Sequence, residues 1–301
     1  MSIVKTVVRA GAAKQNPFTI CVVANPALEA PWKSGQFVVD PIIGQVVTFQ
    51  AAVSYIDAAL FGLLAGQREK VLADAAIMPY VLLVSIYDDG LPVDASSSLV
   101  AQDGVSDTLV ARRTLFKPLL ANYGVQADVA YAVSASSSHT RASAWFTSDD
   151  DTQPGVPFTL NGNQGLFHRF YNAIPGTVAI HSTATSLTAL HEFGHAISSY
   201  SNGKILDLYV DSAIGFNNLL CRPIPPTFCT YNGTVFSSDP SRDGLGYPAN
   251  WQSYHSVLVD PASPAVMDNY WLSPKGPVAC LHDSLTEAFI RDRMLTKVGR
   301  P

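Results

Sequence analysis

Residues Val46 to Ala65 read VVTFQAAVSYIDAALFGLLA, with Asp57 as the single charge, and a run this long and apolar must either cross a bilayer or be buried within a protein. Its polar residues choose between the two. Gln50, Ser54 and Asp57 stand at i, i+4 and i+7, one polar stripe on a helix whose other faces are apolar. A buried helix from Val46 to about Leu72 is therefore expected, and no membrane span. Apolar runs at Phe18–Ala24 and Tyr80–Tyr87 flank it and read as strands. The chain is thus expected to open with a βαβ-like unit.

Farther along, Lys117–Tyr123 reads as a short helix with Pro118 near its first turn and Gly124 as its stop. Strands are expected near Asp128–Ser134, Ala142–Thr147 and Gly176–His181, and a helix from about Ser186 to Tyr200. A loop begins at Asp149, Asp150 and Asp151 and runs through Pro154, Gly155 and Pro157. The triple Asp is read as solvated, with a structural calcium ion as the second reading. From Asp211 to Pro264 the sequence is rich in Pro, Gly, Asn, Ser and Asp, and Tyr231-Asn232-Gly233-Thr234 reads as a hairpin turn. A last helix is expected from Ser284 to about Thr296, opened by the capping pair Ser284 and Glu287. The expected fold class is α/β of the α+β kind. An α/β lobe with a mixed sheet would cover residues 1–200, and a loop-rich, irregular lobe ending in a helix would cover 201–301, the two forming one domain.

Charge excludes some partners. The chain carries 19 basic and 24 acidic residues, net −5, and the basic ones are scattered, so it has no footprint for a nucleic-acid backbone. The first eighteen residues lack an apolar segment followed by a small-residue cleavage site, so no secretory signal is expected there. Of four cysteines none forms a CxxC pair, which argues against a cysteine zinc site. Cys21, in TICVVA, reads as core. Cys221 and Cys229 flank CRPIPPTFC, where a local bridge would indicate an oxidising compartment. The missing signal and that bridge pull in opposite directions, and an extracytoplasmic mature form is favoured.

His191-Glu192-Phe193-Gly194-His195 is HExxH inside an expected helix. At about 100° per residue, His191 and His195 lie one turn apart on one face and can offer two imidazoles to one metal ion. Leu187, Leu190, Gly194 and Ile197 form the adjoining apolar face and would anchor the helix. Glu192 is rotated one step past His191, where its carboxylate can reach solvent at the metal without binding the metal itself. With 7 His among 301 residues and only 4 Glu, the chance expectation for this pentapeptide is about 0.002. The bland reading is a helix bearing two surface histidines.

A catalytic zinc site needs a third protein ligand and an open position. After the helix, Asn202-Gly203 reads as a stop that can send the chain back. Asp207 is favoured as the third ligand, then Asp211, then His255 and His282. For Asp207 the alternative is a solvated or capping acid.

These residues resemble the zincin metallopeptidases, and more narrowly the metzincins. The resemblance rests on HEFGH, on the late Gly turn in HEFGHAISSYSNGKILD, and on PAVMDNYW over Pro264 to Trp271, which is similar to a Met-turn. The late turn departs from the usual metzincin spacing. Leu206-Asp207-Leu208-Tyr209 is closer to the IgA-peptidase-like zincins. The resemblance implies a zincin-like fold and hydrolysis of a peptide or protein substrate with one zinc ion held by His191, His195 and Asp207. It implies Glu192 as general base and Tyr270 as donor to the developing oxyanion. It also implies a sheet-edge strand that pairs with substrate, either Ala142–Thr147 or Gly176–His181. The rival functions are a zinc hydrolase of a non-peptide amide or ester, and a binding protein in which the motif is inert.

Overall fold

The computed structural model describes residues 3–12, 16–31, 33–62, 71–73, 77–104, 106–148, 156–160, 163–167, 174–201, 204–210, 228–231, 234–238, 251–255, 266–267, 282, 287, 290–291 and 294; over 156–167 and 199–255 the description is of backbone. Among these residues the protein is a mixed α/β chain of the α+β kind.

The central sheet grows from strands with no polar face. β2 (Phe18–Ala24) and β8 (Val129–Ser134) are buried at every position, as strands covered on both sides must be. The sheet order is β1 (Ile3–Ala10), β5 (Val81–Asp88), β2, β8, β13 (Gly176–His181) and β9 (Ser143–Trp145). The inner four strands are parallel, while β1 and β9 run antiparallel at the two edges. α1 (Val46–Phe61) lies between β2 and β5 in sequence, so the expected βαβ unit is present.

Residues alternate across the sheet. Phe18, Ile20 and Val22 of β2 join Phe49, Ile56 and Leu60 of α1 and Phe193 of α3 (Ser186–Ile197) on one face. Cys21 and Val23 meet Phe116, Leu119 and Leu120 of α2 (Arg113–Ala121) on the other. Cys21 is a free, buried thiol, as its apolar run predicts, and burial pushes its pKa up to about 12.

A smaller sheet runs β4 (Phe37–Val39), β3 (Ala27–Glu29), β6 (Val100–Gln102), β7 (Leu109–Ala111). A third takes β10 (Thr147–Ser148), β14 (Ser199–Ser201), β15 (Lys204–Val210), β18 (Trp251–His255), β17 (Thr234–Ser238) and β16 (Phe228–Tyr231) in that order. β11 (Val156–Leu160) and β12 (Asn163–Phe167) pair as a hairpin.

Several expectations change. α1 stops at Phe61, because Gly62 turns extended at ψ 142° after its N–H bonds Ala58 O, so the helix does not continue to Leu72 as one element. α2 begins at Arg113 with no side-chain cap and holds Pro118 in its interior, so neither sequence signal marks its start; Gly124, at φ +65°, does end it. α3 ends at Ile197, where Ser198 turns extended and β14 follows. Strand β11 includes Pro157, which a hairpin tolerates but an expected loop concealed. Within the expected loop-rich lobe, the described residues of β15 to β18 form a sheet by pairings such as Ile205 with Trp251, which local composition does not register. Tyr231 stands opposite Thr234, the register of a two-residue hairpin, as expected. Glu287, Ile290, Arg291 and Met294 are helical within the expected last helix. Among the described residues no helix is long and apolar enough to cross a membrane.

Candidate metal centre

The helix that carries HEFGH is seated by small residues and polar ties. Thr185 caps it, its hydroxyl accepting from Thr188 N–H at 3.2 Å, a contact worth about 1 kcal/mol in a typical helix. Leu187, Leu190, Gly194 and Ile197 are all buried, as the apolar face predicts. Gly176 at the start of β13 lets the chain come under the end of α3, since a Cβ there would overlap Ala196 O. Beneath the centre of the helix, Tyr131 of β8 donates its hydroxyl to Ala189 O at 2.9 Å. At the C-terminal end Ser198 Oγ donates to Gly194 O at 3.0 Å, and Thr147 donates through N–H and Oγ1 to Ser198 O at 3.1 and 2.8 Å.

The two histidines converge. Their Nε2 atoms lie 3.0 Å apart, with ring centroids at 4.7 Å and planes at 77°. His191 is buried at 8% exposure, and its Nδ1 stands 2.5 Å from Val266 O. A carbonyl oxygen only accepts, so Nδ1 carries a proton, and in the neutral ring that leaves the lone pair at Nε2. Zinc–imidazole bonds of about 2.0–2.1 Å at a tetrahedral angle put two nitrogens about 3.3 Å apart, within a few tenths of the observed spacing. A backbone carbonyl on the far nitrogen is also the usual outer partner of a ligating histidine. The pair therefore fits a divalent metal, and His195 would have to release any proton it shares with His191 Nε2.

Next to Val266 stands Met267, fully buried against the middle of α3. A Cβ on Gly194 would overlap its Sδ, so the glycine inside HEFGH is the position that lets this methionine seat under the histidine-bearing turn. Glu192 is buried at 8% exposure. Its charge is felt by Tyr131, whose hydroxyl is held well above the ordinary pKa, first by burial and then by Glu192. Tyr131 is therefore a neutral donor beneath the helix.

Of the other candidate residues, Asp207 falls in β15, a strand that packs against α3, with its backbone opposite Ser253 of β18. His255 ends β18, and β15 pairs along that strand. The side chains of Asp207 and His255, and Asp211, Tyr270, Cys221 and the Asp149–Asp151 run altogether, lie outside the described residues. His282 is buried, at 4% exposure. Among the described residues no group of three or more His, Cys, Asp or Glu is placed to hold a metal.

Of the two candidate edge strands, β13 is interior, between β8 and β9, and among the described residues β9 stands at the sheet edge. β9 also packs against α3. Two contributors were absent from the sequence reading. Val266 acts through a carbonyl, which no residue type announces. Tyr131 did carry a signal: a phenol inside a strand as apolar as VAYAVS must find an acceptor. The chain matches no family model and no curated protein.

Proposed function

We propose that this chain is a zinc-dependent peptidase of zincin-like, metzincin-related build. The observation that carries the reading is the pair of Nε2 atoms 3.0 Å apart on successive turns of α3, with His191 fixed in its tautomer by Val266 O. His191 and His195 would hold the zinc with Asp207 as third ligand, whose strand lies against α3. When bound, zinc polarises the scissile carbonyl and lowers the pKa of water from 15.7 towards about 7.

The remaining work falls to the chain. Glu192 takes a proton from the attacking water and passes it to the leaving amine. Its burial on α3 keeps the carboxylate in a site of low dielectric, which strengthens that exchange. Tyr270 donates to the developing oxyanion. An extended substrate lies along β9, the sheet edge beside α3, and main-chain hydrogen bonds supply its register.

The test is a comparison of the unaltered chain with Glu192→Ala on casein and quenched-fluorescence peptide mixtures. Cleavage is expected from the former and none from the latter while zinc stays bound. Cleavage that survives Glu192→Ala contradicts the assignment of the base.

A further inference from the structure

The parallel strands of the central sheet stand in the order β5, β2, β8, β13. The chain leaves β2 through α1 to β5 on one side and returns through α2 to β8 on the other, and the two helices cover opposite faces. The order therefore reverses between β2 and β8, and the space beyond the carboxyl ends of two such strands is where open α/β sheets take up ligands. The chain that emerges from β8 there reads Ala135-Ser136-Ser137-Ser138-His139.

Hydrogen bonds fix this segment against the hairpin of β6 and β7. Asp103 N–H donates to Thr108 O at 2.9 Å, which closes the hairpin, and Thr140 and Arg141 donate N–H to Asp107 O at 3.0 and 3.1 Å. Ser136, buried at 3% exposure, accepts at Oγ from Gln102 Nε2 at 2.7 Å and from His139 N–H at 3.1 Å. On that support His139 Nε2 stands 2.7 Å from Asp103 O, and Ser138 Oγ stands 2.8 Å from His139 Nδ1. The carbonyl only accepts, so Nε2 carries a proton; in the neutral ring Nδ1 is then the acceptor and the Ser138 hydroxyl its donor. Gln102 Nε2 also donates to Ser138 Oγ, at 3.3 Å. Ser138 is exposed and His139 half-buried, so the hydroxyl meets solvent while the Asp103 carbonyl fixes the ring beside it.

We infer that Ser138 and His139 form a second nucleophilic centre, independent of the histidines of α3, that hydrolyses esters of short carboxylic acids. A nucleophile within hydrogen-bond reach of its base, and a third group that orients the base, is the arrangement such chemistry needs. Ser138 Oγ forms a bond to the ester carbonyl carbon as its proton passes to His139 Nδ1. The carbon–oxygen bond to the alcohol then breaks, the alcohol leaves with that proton, and the acyl group stays on Oγ. Water attacks the acyl carbon and gives a proton to Nδ1; the acid departs, and Oγ takes that proton back. The imidazolium formed at each stage keeps its Nε2–H on Asp103 O, and the Gln102 amide lies within reach of negative charge developing beside Oγ. The neighbours Gln102, Ser136, Ser137 and Thr140 are polar, which suits a short acyl group better than a long one.

The test uses the full chain carrying Glu192→Ala, so that ester turnover through the base on α3 is removed. A fluorophosphonate probe should label this chain at about one equivalent, with the adduct on Ser138 when mapped by peptide mass spectrometry. The same chain should hydrolyse p-nitrophenyl acetate faster than p-nitrophenyl octanoate. Adding Ser138→Ala or His139→Gln should cut acetate hydrolysis by at least about 10²-fold, while Ser137→Ala should leave it in place. Absence of label, or label on a serine other than Ser138, overturns the inference, and that reading needs no variant at Ser138 or His139 to fold. Acetate hydrolysis that persists in a folded His139→Gln chain also overturns it, and faster turnover of the octanoate overturns the short-acyl substrate class.

Discussion

α1 and α3 pack against each other on one face of the same sheet, and they treat polar side chains in opposite ways. α1 turns its stripe outward. Gln50 and Ser54 are exposed, and Asp57 bonds Arg9 across to β1, with Arg9 Nη2 donating to Asp57 Oδ2 at 2.8 Å. α3 turns two of its three ionisable groups inward, with His191 and Glu192 each at 8% exposure and His195 half-buried beside them. Burying a polar or charged group is unfavourable by several kcal/mol unless partners offset it. A helix that only had to cover a sheet would follow α1, so the inward set on α3 needs a use, and the convergent imidazoles supply one.

The sharpest way to break this contrast is Glu192→Ala, which should abolish detectable peptide turnover, a loss of at least about 10²-fold, with zinc content unchanged; comparable steady-state rates would reduce α3 to a second α1. Next comes Gly194→Val, which drives a branched side chain into Met267. It should lower stability by about 1–3 kcal/mol in urea unfolding, and pairing it with Met267→Ala should recover part of the loss. If Gly194→Val alone leaves the transition in place, Met267 does not seat under the helix as described.

Tyr131→Phe removes the donor beneath Ala189 O and should cost about 0.5–1.5 kcal/mol in the same measurement, with the partner carbonyl still bonded within its helix. The smallest effect belongs to α1: Asp57→Ala should cost no more than about 1 kcal/mol, because the pair with Arg9 is part-exposed and screened by salt. A larger loss from Asp57→Ala than from Tyr131→Phe would reverse the ranking of the two helices.

Much of this was readable where the signal is local. β2, β8 and β13 are short runs of buried, mostly β-branched or small apolar residues, and their limits fall within a residue or so of expectation. The stripe of α1 and the apolar face of α3 follow from helical periodicity. What escaped is what depends on distant partners. The start of α2 has no capping side chain, so nothing near Arg113 marks it. The sheet built from β14 to β18 joins residues some fifty positions apart. At the site, HEFGH placed both histidines on one helical face. That the motif's own glycine admits Met267, and that the carbonyl next to that methionine fixes His191, required the fold.

The central claim is that His191 and His195 grip one divalent ion, and metal analysis tests it most directly. The chain dialysed against dilute zinc and then desalted should retain about one equivalent, and His191→Ala and His195→Ala should each retain almost none while keeping a cooperative unfolding transition. Retention below about one tenth of an equivalent by the unaltered chain, or equal retention by all three, would contradict it.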